Sequence, residues 1–531
     1  MSITRRDFLT TAAIASAAGF VRLRAETPAG GRRVFLHGVA SGDPLADRVI
    51  LWTRVTAPPG SSPAVAWELA ADPAFRRVVT GGSVPTGDSR DFTVKIDAGP
   101  LDPATSYYYR FEALGERSPV GRTRTLPAAL APRIRLALAS CSNLPFGYFN
   151  VYARIAARSD LDAVLHLGDY IYEYENGRYG DGTALGRVPE PDRELVSLAD
   201  YRARYAQYRR DADLQEVHRQ HPFIVVWDDH EVTNNTWRDG ADNHQPDLGE
   251  GDWSVRKAAA VRAYLEWMPI RADRATRRPR IYRSFAFGDL ADLLMLDTRV
   301  LDRDRQAASR DAVAVIDDPA RTLLGAAQEQ WLVEELVASR RAAVQWQLLG
   351  QQVMFAPGSL PGAKAASVDT WDGYRPARDR LMTALAANDV RTAIVLTGDI
   401  HSSWAYDLPR DPWSGYDATT GRGSLGVEIV VPAVTSPSGL GPPDEAAERI
   451  ERLKRERPHL KFLEASRRGY VVLDVTRGRV QADWFFVPTV TERVPDEEFG
   501  GAWLTEAGDP HLIAAATPAP PGPIGAEPAP L

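Results

Sequence analysis

Cysteine is nearly missing from this chain: Cys141 is the single one in 531 residues. No intramolecular disulfide can form, and the lone thiol is either buried and inert or kept for its chemistry. An excess of positive charge is also missing. The 63 Lys and Arg face 70 Asp and Glu, a formal net charge of −7, which gives no broad electrostatic reason to hold nucleic acid. A local basic pocket for an anion stays compatible with that balance. No apolar run after residue 30 reaches the ~20 residues that span a bilayer, so no stable membrane span is expected. The G-x-S-x-G pattern of a serine nucleophile is absent, and there is no internal repeat.

What is present suits a folded protein with more than one core. Hydrophobic content of 44% and charged content of 25% are ordinary, and the length favours two domains. The start, MSITRRDFL followed by TTAAIASAAGF, places Arg5 and Arg6 before a modest apolar stretch. That layout reads as a signal peptide over residues 1–30, with the paired arginines of the twin-arginine type and cleavage near Ala25. It implies passage through the twin-arginine export machinery to the periplasm or beyond. Proteins of that route cross the membrane folded, often with a metal already inserted.

Residues 34–126 read as strands and turns. RVILWTRVT (48–56) and FTVKIDAG (92–99) alternate and are rich in β-formers. LDPATSYYYRFEA (101–113) resembles the end of a fibronectin-type sandwich, where a tyrosine after a Pro-containing turn begins a strand. A small all-β domain of immunoglobulin or fibronectin type is expected there. From 133 to 510 the pattern changes to alternating strands and helices. IRLALAS (134–140), LDAVLHLGDY (161–170), FIVVWDDH (223–230), DLLMLDTR (292–299) and TAIVLTGDIH (392–401) read as strands. FNVYARIAAR (149–158), AQEQWLVEELVAS (327–339) and one long helix over 198–220 read as helices. Such alternation means an α/β layered domain. YVVLDVTRGRVQADWFFV (470–487) reads as a late hairpin. Residues 511–531, ending in ATPAPPGPIGAEPAPL, read as a Pro-rich disordered tail.

Four apolar strands each end in a polar cluster: ALASCSN (137–143), LHLGDYIYEY (165–174), VVWDDHE (225–231) and VLTGDIH (395–401). Ligands of α/β sheets bind outside the carboxyl ends of strands, where loops converge. Cys141, Asn143, Asp169, Tyr172, Asp229, His230, Asp399 and His401 can therefore share one pocket. Taken singly, each has a bland role: a turn or cap aspartate, a buried thiol, a packing tyrosine. Repetition of the pattern outweighs that. Carboxylates crowded at one point repel unless a cation neutralises them, and a polyvalent metal does so best. His166 alternates away from Asp169 and is read as structural. YRARYAQYRR (201–210) is read as a solvated and partly packed helix face, with substrate-phosphate contact as the rival. The polar, Gly-rich stretches 174–196 and 237–252 read as loops over the pocket rim.

The ordered set resembles the metallophosphoesterase plan, whose usual motifs run D-x-H, GD-x-x-D, GNH-[E/D] and GH-x-H. This chain carries C-S-N, GD-x-x-Y, DDHE and GDIH in those places. With HGVASGDP and VILWTRV upstream, these departures are similar to the alkaline phosphatase D (PhoD) family, over nearly all of the mature chain. The resemblance implies a layered β-sandwich flanked by helices after the N-terminal β domain. It implies Fe(3+) held by Cys141, Asp169, Tyr172 and His401, with Ca(2+) alongside, bridged by Asp169 and held by Asp229 and Asp399. Thiolate and phenolate donors favour a trivalent iron, and oxygen-only donors suit calcium.

The expected reaction is hydrolysis of phosphomonoesters or phosphodiesters by a metal-activated hydroxide. His230 would stabilise or protonate the leaving oxygen, or hydrogen-bond a ligand; Asn143, Asn234 and Asn235 are candidate phosphate or metal contacts. The substrate would be a small phosphate ester or a lipid or teichoic-acid-like polymer. A phospholipase D-like action on lipid headgroups is the nearest alternative. A non-catalytic exported binding protein and a redox iron protein are more distant ones. All four clusters keep their donor atoms, which speaks against the former, and no second cofactor motif supports the latter.

Overall fold

The apolar runs of the sequence become the strands of two facing sheets in the computed structural model, which describes residues 34–271, 280–441, 443–522 and 525–530. The expected export signal, with Arg5, Arg6 and Ala25, lies outside the described residues. Ten strands form the first sheet. Their spatial order is Asp509–Ala515, Glu498–Glu506, Arg479–Val487, Arg468–Thr476, Arg133–Ala139, Ala163–His166, Pro222–Val225, Val39–Gly42, Val49–Arg54 and Thr93–Ala98. Seven form the second: Arg283–Phe287, Ala291–Met295, Trp346–Gln351, Ala393–Thr397, Ser424–Val430, Ser403–Pro409 and Leu460–Glu464.

Side-chain alternation along the strands defines the layers. Leu293 and Met295 join the core shared with Leu136, Leu165 and Ile224 of the first sheet. Their neighbours Leu294 and Leu296 face a second core with Leu332, Leu336, Leu381 and Leu385, which lie on the helices Ala326–Arg341 and Arg375–Ala387. Tyr152, Ile155, Leu214, Val217 and Tyr264 bring other helices onto the first sheet. A two-sheet sandwich with helices on its flanks results, the architecture expected from the sequence. Among the described residues no helix is long and apolar enough to cross a membrane.

The N-terminal strands divide between two sheets. Val78–Pro85, Ala64–Ala70, Ser106–Ala113, Glu116–Arg117 and Gly121–Arg124 form a sheet of their own. Val39–Gly42 instead lies parallel to Pro222–Val225, pairing Ser41 with Pro222 and Gly42 with Phe223. The N-terminal core of Val49, Leu51, Val65, Leu69, Val94 and Phe111 is therefore closed on one side by an extension of the ten-stranded sheet. Tyr107 Oη accepts from the Asp102 amide at 2.9 Å, the tyrosine-corner contact that the Pro-Tyr spacing suggested.

Two expectations are corrected. The single helix over 198–220 is two, Leu198–Tyr208 and Ala212–Gln220. Asp211 breaks it because an aspartate gains more as an N-cap than inside a helix; its carboxylate accepts from the amides of Asp213 and Leu214. The tail expected to be disordered is held in place over its described residues, 511–522 and 525–530. Its carbonyls take guanidinium bonds: Pro520 from Arg135 at 2.9 Å, Ala526 from Arg122 at 2.8 Å and Ala529 from Arg219 at 2.8 Å. The Gly522 amide donates to Asp160 at 3.0 Å, and Tyr108 donates to the Glu527 carbonyl at 2.6 Å. Composition signals too little apolar surface to fold, yet this segment is held through its backbone, whose carbonyls proline leaves intact. Gly522, Gly525 and Ala526 roof a cavity of about 660 Å³ at the strand ends opposite the carboxylate clusters. The acids there are already matched, Asp160 with Arg135 and Asp162 with Arg124 at 3.0 Å each.

Deleting residues 516–531 is expected to lower the melting temperature by about 2–4 °C, because hydrogen bonds to charged donors outweigh the ordering of a short strap. Differential scanning calorimetry of the truncated chain checks this; an unchanged melting temperature would mean the strap contributes nothing.

Candidate metal centre

The strands Arg133–Ala139, Ala163–His166, Pro222–Val225, Ala291–Met295 and Ala393–Thr397 deliver their following loops to one edge of the sandwich. There the two sheets are tied by a parallel bridge between Ser140 and Ala433. The strand before the DDH cluster is shorter than its apolar run: it stops at Val225, so Trp227 to His230 lie on irregular backbone. Four of the expected ligands sit in the left-handed region, Cys141 at φ 61°, Asp169 at 55°, Asp399 at 63° and His401 at 58°. Such conformations are strained for non-glycine residues and gather where the surroundings hold them for function. Gly168, at φ 104°, allows the loops to touch; a Cβ there would meet Asp228 Cβ at 2.4 Å.

Cys141, Asp169 and His401 each offer a donor atom within 4.8 Å of the others. Tyr172 joins them, its hydroxyl donating to Asp169 Oδ2 at 2.9 Å and lying 3.1 Å from His401 Nε2. The Pro437 carbonyl, 2.9 Å from His401 Nδ1, fixes the tautomer that turns a bare Nε2 toward this group. The buried Asp169 Oδ1 has no hydrogen-bond partner. Burial and the nearby Asp169 push both the Cys141 thiol and the Tyr172 phenol well up. Burial also opposes ionisation of Asp169, but the charge on His230 and the hydrogen bond from Tyr172 hold its carboxyl at about 2. A thiol and a phenol that resist ionisation, converging on an orphaned carboxylate oxygen, fit a polyvalent cation, which would deprotonate both.

A second group joins Asp228, Asp229 and Asp399, whose oxygens also lie within 4.8 Å. Burial raises all three carboxyls, Asp399 to about 7 even with Arg299 opposing it. The sequence reading missed Arg299. Fully buried, it bonds Asp228 at 2.5 Å, Asp369 at 2.7 Å and Asp399 at 2.8 Å. DLLMLDTR carried the same strand-then-charge pattern as the other clusters, but a cation does not look like a ligand. Glu231 was also underread. Its carboxylate accepts from the amides of Asp169, Tyr170 and Asp228 at 3.1, 2.6 and 2.7 Å, clamping two ligand loops together. Burial lifts it to about 8.

These groups open into a cleft of about 270 Å³. Asp169, Asp229, His230, Asp399 and His401 line it, as do Asn234 and Asn235. Tyr174 and Tyr179, from the loop expected at the rim, complete the wall. His230 Nδ1 lies 2.7 Å from Glu173 Oε2, and the His230 ring stacks on Tyr172 with centroids 4.3 Å apart. Burial works against its charge, but Asp229, Glu173 and Asp169 raise its pKa well above the usual imidazole range. Glu173 is fixed in turn by Thr233 Oγ1 and the Asn234 amide, a support the sequence did not reveal. Cys141 and Tyr172 lie behind the cleft wall. So does Asn143, 1% exposed, whose amide donates to the Tyr179 carbonyl at 3.3 Å. His166 is buried and meets Tyr152 Oη at 2.8 Å. The arginines of YRARYAQYRR are less solvated than expected: Arg204 is buried and donates to the Tyr172 carbonyl, and Arg209 is buried over the Trp52 ring at 4.3 Å.

The PhoD-like phosphatase family model matches residues 136–484, and that of the PhoD-like phosphatase N-terminal domain matches 22–127. Alkaline phosphatase D of Bacillus subtilis (strain 168) is 40% identical over 477 residues, covering 86% of this chain and 78% of its own. A solved structure described as "Structure of PhoD" superposes with a TM-score of 0.83 at 35% identity, over 94% of this chain and 95% of that one. The buried donors, the cleft and these likenesses agree: the chain belongs to the PhoD-like phosphatases and is a hydrolase.

Proposed function

We propose that this protein is an exported, metal-dependent phosphoesterase acting on phosphomonoesters and phosphodiesters. The observation that carries the reading is the meeting of Cys141, Asp169, Tyr172 and His401 at the wall of a cleft lined by further carboxylates. Export rests on the twin arginines of the N-terminus. The first four residues would hold a ferric ion, because a thiolate and a phenolate suit it. Asp169, Asp229 and Asp399 would hold calcium through oxygen alone. Bound there, the cations would acidify a water and draw charge from phosphate oxygens.

The protein's own part is placement and proton handling. His401 is oriented by the Pro437 carbonyl, and Asp229 by the amides of His230 and Asn235 at 3.1 and 2.6 Å. Asn234 and Asn235 present amides to the cleft that can contact a phosphate ester. His230, held protonated through Glu173, can donate to the leaving oxygen as the phosphorus–oxygen bond breaks. Asn143 acts at one remove, by fixing the Tyr179 loop.

Protein purified without chelators is expected to contain iron with calcium and to be coloured by phenolate-to-iron charge transfer. Cys141→Ala should lose the iron, the colour and the activity, read by metal analysis and visible absorption. Active wild-type protein free of metal would contradict this. His230→Gln should slow hydrolysis of alkyl phosphates by about 10²–10³-fold. It should affect p-nitrophenyl phosphate far less, because nitrophenolate leaves unprotonated. Equal losses on both substrates would remove His230 from the proton-donor role. Comparing p-nitrophenyl phosphate, bis-p-nitrophenyl phosphate and phosphatidylcholine separates monoester, diester and lipid-headgroup action.

A further inference from the structure

Arg299 is the only guanidinium, among the described residues, that ion-pairs within 4.0 Å with Asp228, Asp229 and Asp399. Its side chain is 0% exposed. Nε bonds Asp228 Oδ1 at 2.5 Å and Nη2 bonds Asp399 Oδ1 at 2.8 Å, with Asp229 Oδ1 at 3.8 Å. From the far side, Nη1 takes both oxygens of Asp369, at 2.9 and 2.7 Å. Asp369 is itself anchored by Arg303 at 2.7 Å and Gln306 at 2.7 Å. The guanidinium is thus locked by a rigid backstop and spends its remaining donors on the carboxylates of the candidate cation site.

We propose that Arg299 is a positioning residue for that site: a permanent internal counter-charge that aims Asp228 and Asp399 and limits how tightly a divalent cation is held between Asp229 and Asp399. The inference rests on the proposed cation site and adds the residue that tunes it. Three carboxylates this close cannot all ionise without compensation. A planar fork supplies compensation at fixed angles, which a mobile ion does not. Arg299 therefore keeps the loops ordered while no cation is bound. Once one arrives, the same unit charge a few ångströms away opposes it. Asp228 Oδ2, buried and without a partner, marks where the compensation is incomplete.

Calcium titrations of chelator-treated protein, followed by melting temperature, test this. Wild-type protein should be stabilised by calcium. Arg299→Met should melt about 5 °C or more lower without calcium, because a buried carboxylate loses its partner. Its half-saturating calcium concentration should fall about tenfold as the opposing charge goes. Arg299→Lys, which keeps charge but loses the fork, should keep a wild-type midpoint while kcat drops. Asp369→Asn should weaken calcium binding, since the guanidinium then leans wholly on the site. That variant decides the matter if Arg299→Met does not fold. A merely structural arginine would lower the melting temperature equally with and without calcium and leave the midpoint alone; that result overturns the proposal. If wild-type protein shows no response to calcium, the cation site itself is wrong and the role of Arg299 goes with it.

Discussion

Repulsion among buried carboxylates governs this structure. Asp169, Asp228 and Asp229, all buried, converge with the partly exposed Asp399 beside the cleft, and each would otherwise take up a proton to relieve the crowding. The fold answers in two ways. Protein cations stand at fixed places: Arg299 among Asp228, Asp369 and Asp399, and His230 beside Glu173 and Asp229. The thiol, phenol, imidazole and orphaned oxygen on the other side form a donor set that fits a polyvalent cation. Strained backbone at Cys141, Asp169, Asp399 and His401 is part of the same arrangement, since each donor must turn inward at the end of a strand whose natural direction is outward.

Much of the fold was readable because buried strands announce themselves. IRLALAS, TAIVLT and the hairpin at 470–487 are apolar runs bounded by turn residues, and each became a strand near its expected limits. The misreadings share one cause: hydrogen bonds that periodicity does not record. The helical pattern ran through 209–211, but Asp211 capped a new helix instead. The proline-rich tail lacked apolar side chains, but its carbonyls found Arg122, Arg135 and Arg219. Strand pairing was equally hidden. Nothing local in VASG, residues 39–42, says that it will lie against Pro222–Val225 across some 180 positions of chain.

The site was legible in its donors and opaque in its supports. That Cys141, Asp169, Tyr172, Asp229, Asp399 and His401 would come together was readable because strand-terminal clusters repeat; their service as metal ligands is the proposal. Glu173, Glu231, Asp369 and Arg299 act on other protein groups, and a residue with that role carries no distinctive spacing. Asn143 shows the converse. Its neighbourhood to Cys141 suggested the cleft, but the turn after the strand sends its side chain back to the Tyr179 loop.

The proposed chemistry depends on a metal bonded to the Cys141 sulfur beside the cleft. An anomalous difference map at the iron absorption edge, from crystals grown without chelator, is the direct measurement. A single strong peak within bonding distance of Cys141 Sγ, Asp169, Tyr172 and His401 is the predicted result. A map with no iron peak there, or with the peak bound by carboxylates while the Cys141 sulfur stands off as a protonated thiol, would contradict the account.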